Sequence, residues 1–321
     1  MTLRRTALQL MWGFAAVLLL LEGEGAAAKA ECPQDTTTTA VQQTVAVVSP
    51  VLNRPELSGF TPGQIMTMRQ LNSIFENGTT KFQYGYIEDI GDGAGVTAGE
   101  AGFTGGELKI LVTNYMNATG ADARTKKDFE EFLPCLDQIA KAKDISQYAC
   151  LYPNLKPEKM SKKEFKEEGG EISKVGFGKV WSAAAKDPVM RQLQDERVFN
   201  VYLNPGIEAA RKYGLKSALG AAFIYDTFIQ SGDDGAAKMA VIVQQQFAIK
   251  HTGRASPETP AEEKEWLRLW ATERKKELVT TPAGAETTPR VDSLLQILDS
   301  GNMNLDLPFH ITYFSGSHKL K

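Results

Sequence analysis

The sequence predicts a mainly helical protein, α+β in class, with one small β element in its N-terminal half. Apolar residues recur at helical spacing in successive segments along the chain. Persuasive short strands occur only within residues 82–104. There is no internal repeat, and no glycine-rich phosphate loop follows a strand, so solenoid and dinucleotide-binding folds are set aside.

From the N-terminus, residues 1–30 read as a secretory signal. Arg4-Arg5 is a positive start, Leu8 to Leu21 is apolar apart from Gln9 and Gly13, and Ala26 to Ala30 offers small residues for cleavage. The apolar run is shorter than the about 20 residues a membrane span needs. The protein is therefore expected outside the cell, monomeric, and free of the membrane once the signal is removed. Cleavage after Ala30 would remove Arg4, Arg5, Lys29, Glu22 and Glu24, taking 36 basic and 39 acidic residues to 33 and 37. A mildly acidic protein repels nucleic-acid phosphate on balance and suits a polycation. Residues 31–50 are expected to form a poorly ordered leader. Its Asp35-Thr36-Thr37-Thr38-Thr39 stretch is of low complexity, and Val41 to Val51 reads either as a first helix or as an extended arm. Residues 51–321 form the expected folded part, long enough to bury a large core.

The first firm helix is predicted over 62–76. Thr61 suits the N-cap, Pro62 the first helical position, and Gln64 can close a capping box. Phe60 and Ile65 fit the staple positions. Ile65, Met68, Leu71 and Phe75 recur at helical spacing, and Asn77-Gly78 is a stop signal. Glu76 therefore falls in the last turn, where the helix dipole disfavours a carboxylate and raises its pKa. Sixteen residues later, Asp92 lies between Gly91 and Gly93, where it stays hydrated and ionised. Two carboxyls in unlike environments suit glycoside hydrolysis, one protonated as general acid and one ionised. Taken alone the pair is a weak signal: a helix-end Glu is most often a solvated surface residue, and Gly-Asp-Gly most often a turn. A calcium loop does not fit, because Ile90 and Gly99 would stand at ligand positions.

Further helices are predicted over 105–116, 125–142, 187–202, 206–213, 216–231, 235–250, 261–277 and 291–299. Thr104-Gly105-Gly106-Glu107 reads as a capping box. Lys156 to Lys174 is a charge run, expected to be a solvated insertion. The export context favours a disulfide among Cys32, Cys135 and Cys150; Cys135 with Cys150 closes a short loop and leaves Cys32 spare. The histidines, His251, His310 and His318, have no ligand spacing, so no metal and no cofactor is implied. Asn77-Gly78-Thr79 and Asn117-Ala118-Thr119 match the glycan acceptor pattern.

The run YGYIEDIGDGAGVTAGEAGFTGGELKIL resembles the signature region of the family 46 glycoside hydrolases, the endo-chitosanases. The likeness continues in WSAAAKDPVMRQLQDERVFNVYLNPG, GLKSALGAAFIYDTFIQSG and TPRVDSLLQILDSGNMNLDLP, and spans residues 62–315. It implies a lysozyme-like fold. Two lobes are joined by a long helix near 187–202, with a substrate cleft between them and both carboxylates in the N-terminal lobe. It implies Glu76 as general acid, Asp92 as the base that activates water, and Thr97 as a hydroxyl that helps hold that water. Tyr86 and Glu88 match residues that contact sugar, and Glu107 falls near a family carboxylate that binds an amino group. Capping and sugar binding therefore both remain open for Glu107. Asp195, Arg254 and Arg274 fall where a buried carboxylate–arginine network is expected behind the cleft. Ala94 stands where this family often has Arg.

The reading this implies is a secreted, inverting endo-glycosidase cutting β-1,4 bonds between glucosamine units, with chitosan or another glucosamine-containing polysaccharide as substrate. A lysozyme-like hydrolase of chitin or peptidoglycan is the first alternative. A non-catalytic wall-binding protein is the second, and the presence of Glu76, Asp92 and Thr97 argues against it.

Overall fold

The computed structural model describes residues 54–89, 96–141, 150–151, 176–280, 282–314 and 316–321. The expected signal and leader, Cys32, Asp92 and the charge run from Lys156 to Lys174 lie outside the described residues.

Helix α1 spans Pro62–Asn77. Thr61 caps it, and the capping box closes in both directions, Gln64 N–H to Thr61 Oγ1 at 3.2 Å and Thr61 N–H to Gln64 Oε1 at 2.8 Å. Gly78 ends it at φ 68°, its N–H bonded to Ile74 O at 2.8 Å. The left-handed conformation costs a glycine little, which is why the helix stops there and leaves Glu76 in its last turn.

Strands β1 (Ile87–Asp89) and β2 (Val96–Ala98) pair antiparallel, with Glu88 opposite Thr97. Gly99, at φ 80°, follows β2. A Cβ there would stand 2.5 Å from Gln194 Oε1 and 2.8 Å from the Phe103 ring, so the turn requires glycine. Helices α2 (Gly105–Asn117), α3 (Ala123–Glu130), α4 (Leu133–Lys141) and α5 (Gly176–Ala184) follow. The helix expected over 125–142 is broken in two. Pro134 has no N–H, and its ring disfavours helix at the residue before it, so the chain turns between Glu130 and Leu133. Cys135 and Cys150 form a disulfide, Cα–Cα 5.8 Å. Helix α5 was not among the expected helices. Its Phe177, Val180, Trp181 and Ala184 are all buried at helical spacing, joining Phe129 and Phe132 in an aromatic cluster.

Helix α6 (Pro188–Val198) runs into a π-helical turn (Phe199–Leu203) and then α7 (Asn204–Lys212). Pro205 cannot donate to Val201 O, and the ladder widens just before it, Asn204 N–H bonding Phe199 O. The expected helix over 187–202 is thus one half of a longer helical run. That run packs on α2 at one end and on α8 at the other. Gly206 allows the second contact, because a Cβ would meet the Tyr225 backbone at 2.9 Å.

Helix α8 spans Ala218–Lys250 and is interrupted at Gly232 (φ 67°, ψ −176°), between the two helices expected there. Helix α9 (Pro260–Leu278) carries Trp266 and Trp270, fully buried and stacked at 5.2 Å between ring centres. A short turn, α10 (Pro282–Ala285), leads to α11 (Thr288–Ser300). The chain ends in a hairpin of β3 (Phe309–Tyr313) and β4 (Gly316–Leu320), which corrects the expectation that strands lie only within 82–104. Ile311 and Tyr313 alternate inward, and Tyr313 Oη donates to Phe75 O at 2.8 Å, one residue before Glu76. No helix of the described residues is long and apolar enough to cross a membrane.

Candidate active site

Glu76 is buried, 4 % exposed, at the C-terminal end of α1. Its Oε1 accepts from Arg290 Nη2 at 2.7 Å. Arg290, on α11, is fully buried, and its Nε and Nη2 also reach Asp226 Oδ1 on α8 at 2.9 and 2.7 Å. The guanidinium lies 5.4 Å from the centre of the Phe75 ring. One cation is thus shared by two carboxyls that have little access to water. Burial raises the Glu76 pKa above the ordinary carboxyl value; Arg290 opposes the rise and Asp226 adds to it. The helix end selects the position of Glu76, and burial is the first cause of its raised pKa.

Thr97, on β2, is fully buried, and its Oγ1 has no hydrogen-bond partner among the described residues. Glu88 faces it across the hairpin. Tyr86 Oη donates to Glu88 Oε2 at 2.5 Å. Glu76 is thus held on α1, Glu88 and Thr97 on the paired strands and Tyr86 just before β1, and the segment that joins β1 to β2 contains Asp92.

Glu107 lies in the first turn of α2, but the capping box expected around it does not form: Thr104 makes no side-chain cap bond. Its carboxylate instead grips Arg197 of α6 in a two-pronged pair, Arg197 Nε to Oε2 and Nη2 to Oε1. Tyr202, in the π turn, lies within electrostatic reach of Glu107, Arg197 and Glu76. Its hydroxyl pKa is pushed up to about 12, chiefly by burial and then by Glu107.

Behind these groups the expected network is redrawn. Asp195 is buried, but its arginine is Arg69 on α1, with Nη2 2.5 Å from Asp195 Oδ1 and 2.9 Å from Glu100 Oε2. Tyr84 Oη donates to the same Asp195 oxygen at 2.7 Å. Burial drives the Glu100 pKa well above the carboxyl range; Arg69 resists the rise and Asp195 reinforces it. Arg254 belongs elsewhere. It pairs with Glu262 near the surface, because both sit at the entry to α9. Arg274 is buried near Asp226 and Arg290, but its hydrogen bonds go to Ser231, Gln230 and Glu277. Asp195, Arg254 and Arg274 do not form one cluster.

Comparison with known proteins follows the same lines. A model of Glycosyl hydrolase family 46 matches residues 70–174 and 163–309. A chitosanase of Bacillus subtilis (strain 168) is 32% identical over 263 residues, 79% of this chain and 83% of its own length. The chain belongs to glycosyl hydrolase family 46. Among solved structures, the native chitosanase from Bacillus subtilis MY002 aligns with TM-score 0.61 and 28% identity over 82% of this chain and 100% of its own. A family 46 chitosanase of Gynuella sunshinyii in complex with chitotetraose aligns with TM-score 0.60 and 30% identity, over 82% of this chain and 99% of its own. This family 46 chain is accordingly a glycoside hydrolase with the mainly helical fold of those structures. Arg290, Asp226, Arg69, Glu100, Arg197 and Tyr202 are site residues that the sequence reading did not single out. Two carried a signal. Asp226 interrupts the apolar run from Ala221 to Phe228, and Arg290 shares a helix face with the buried Leu294 and Ile297. A charge on a core-facing position points to a buried pair.

Proposed function

We propose that this protein is a secreted endo-acting chitosanase that cleaves β-1,4 bonds between glucosamine units with inversion at the anomeric carbon. Glu76 protonates the leaving oxygen. Asp92 takes a proton from a water that Thr97 helps to hold, and that water attacks from the opposite face of the sugar. Tyr86, Glu88 and Glu107 contact the substrate, and residues 1–30 direct export.

The observation that carries this reading is Glu76. A carboxyl at a helix end, 4 % exposed and with its pKa raised chiefly by burial, is suited to hold a proton until the leaving oxygen needs it. Thr97 Oγ1, buried and without a hydrogen-bond partner among the described residues, supports a water-holding role. The relatives named chitosanase, and a family 46 structure holding chitotetraose, support a glucosamine polysaccharide as substrate.

The test is release of reducing ends from soluble chitosan, chitin and peptidoglycan by the purified protein. Chitosan should be cut fastest, and the rate should fall as its acetylation rises. Faster cleavage of fully acetylated chitin, or of peptidoglycan, would replace this reading with that of a lysozyme-like hydrolase.

A further inference from the structure

Glu107 and Arg197 meet at helix ends that suit their charges. Glu107 lies in the first turn of α2 and Arg197 in the last turn of α6. The contact is bidentate, and both side chains remain about one-third exposed, 34 % and 28 %. Among the described residues no other ion pair engages Glu107. A glucosamine unit presents an ammonium group, which seeks the same oxygens. Any ammonium approaching Glu107 therefore meets a carboxylate already holding a cation, and the exposure of the pair lets substrate reach it. An acetylated sugar has no such charge and loses little from the competition.

We propose that Arg197 is a specificity-determining residue: a built-in competing cation on Glu107 that weakens recognition of free amino groups and narrows the gap between deacetylated and acetylated sugar units. The inference rests on the reading of Glu107 as a substrate-contacting residue of a chitosanase. Arg197 touches no reacting atom. It acts through Glu107, so removing it should matter only while that carboxylate is present.

The experiment compares wild type, Arg197→Met, Glu107→Gln and the double variant on two soluble chitosans, one fully deacetylated and one partly acetylated. Arg197→Met should lower KM for the deacetylated polymer by about fivefold, the upper end for a partly exposed charge contact. KM for the acetylated polymer should change less, and added salt should shrink the difference. Glu107→Gln should raise KM for the deacetylated polymer, and the double variant should match Glu107→Gln alone. Arg197→Lys keeps the charge but loses the fork, and should shift KM in the same direction by less; it also covers the case of a Met variant that does not fold. Unchanged or raised KM in the folded Arg197 variants, or a double variant unlike Glu107→Gln, overturns the inference while leaving chitosan cleavage intact. Failure of the wild type to cleave either chitosan overturns the proposed function itself, and this inference with it.

Discussion

Replacing Arg290 by Met removes the one guanidinium that Glu76 and Asp226 share. The three residues are 0 %, 4 % and 3 % exposed, and the arginine makes contacts of 2.7 Å to Glu76 and 2.9 and 2.7 Å to Asp226. Met fills much of the space but answers neither carboxyl. Deleting one partner of a buried charge cluster costs about 3–5 kcal/mol. At about 2–4 °C per kcal/mol for a chain of this size, Tm should fall by about 6–20 °C at neutral pH. The pH dependence has a definite sign. Arg290 holds the Glu76 pKa down against burial, so its loss raises that pKa further. A carboxyl whose folded pKa exceeds its unfolded value favours the protonated folded state. The penalty is therefore largest well above the unfolded carboxyl pKa, about 4.3 for Glu, and shrinks as pH falls toward it. Thermal melts of wild type and Arg290→Met at neutral and mildly acidic pH supply both numbers. A Tm loss under 2 °C at neutral pH, or one that does not shrink on acidification, would refute the shared-cation account.

Three further outcomes are expected. Glu76→Gln and Asp92→Asn should each lower kcat by about 10²–10⁴-fold while the melting profile stays cooperative, as loss of a general acid or base requires; wild-type turnover in either folded variant would remove that residue from the mechanism. Cys135→Ser opens a loop whose ends are 15 residues apart, and should lower unfolding free energy by about 3 kcal/mol in denaturant titrations, with no comparable loss once wild type is reduced first. Gly99→Ala should destabilise the hairpin end, because φ 80° and contacts of 2.5 and 2.8 Å leave no room for a methyl; a melt within 1 °C of wild type would show that the turn yields easily.

What the sequence made legible was local. The cap of α1 depends on Thr61, Pro62 and Gln64, all within four residues, and its stop depends on Gly78. Those few residues suffice to put Glu76 in the last turn. The partner of Glu76 lies 214 residues away, and no local rule couples α1 to α11. The same distance problem misdirected the network reading. Asp195 pairs with Arg69, 126 residues upstream, whereas Arg254 and Arg274 follow it in the chain and bond elsewhere. Two boundary errors have one cause. Pro134 breaks the helix expected over 125–142, and Pro205 widens the run after α6, each by withholding a donor from the ladder. The final hairpin was readable in the alternation of Ile311 and Tyr313 with His310 and Thr312, ahead of Ser315-Gly316. Glu107 shows the opposite limit. Two local readings were open, capping and sugar binding, and the actual partner came from a third element, α6.

The central claim, that Asp92 activates a water while Glu76 protonates the leaving oxygen, is tested most directly by the stereochemistry of the first product. Inverting enzymes hold their carboxyls about 6.5–9.5 Å apart to admit that water, and retaining ones hold them about 5–5.5 Å apart. Proton NMR of a fresh chitosan hydrolysate, recorded before mutarotation, should show the new reducing ends as the α-anomer. A dominant β-anomer would mean retention, and would contradict the role assigned to Asp92.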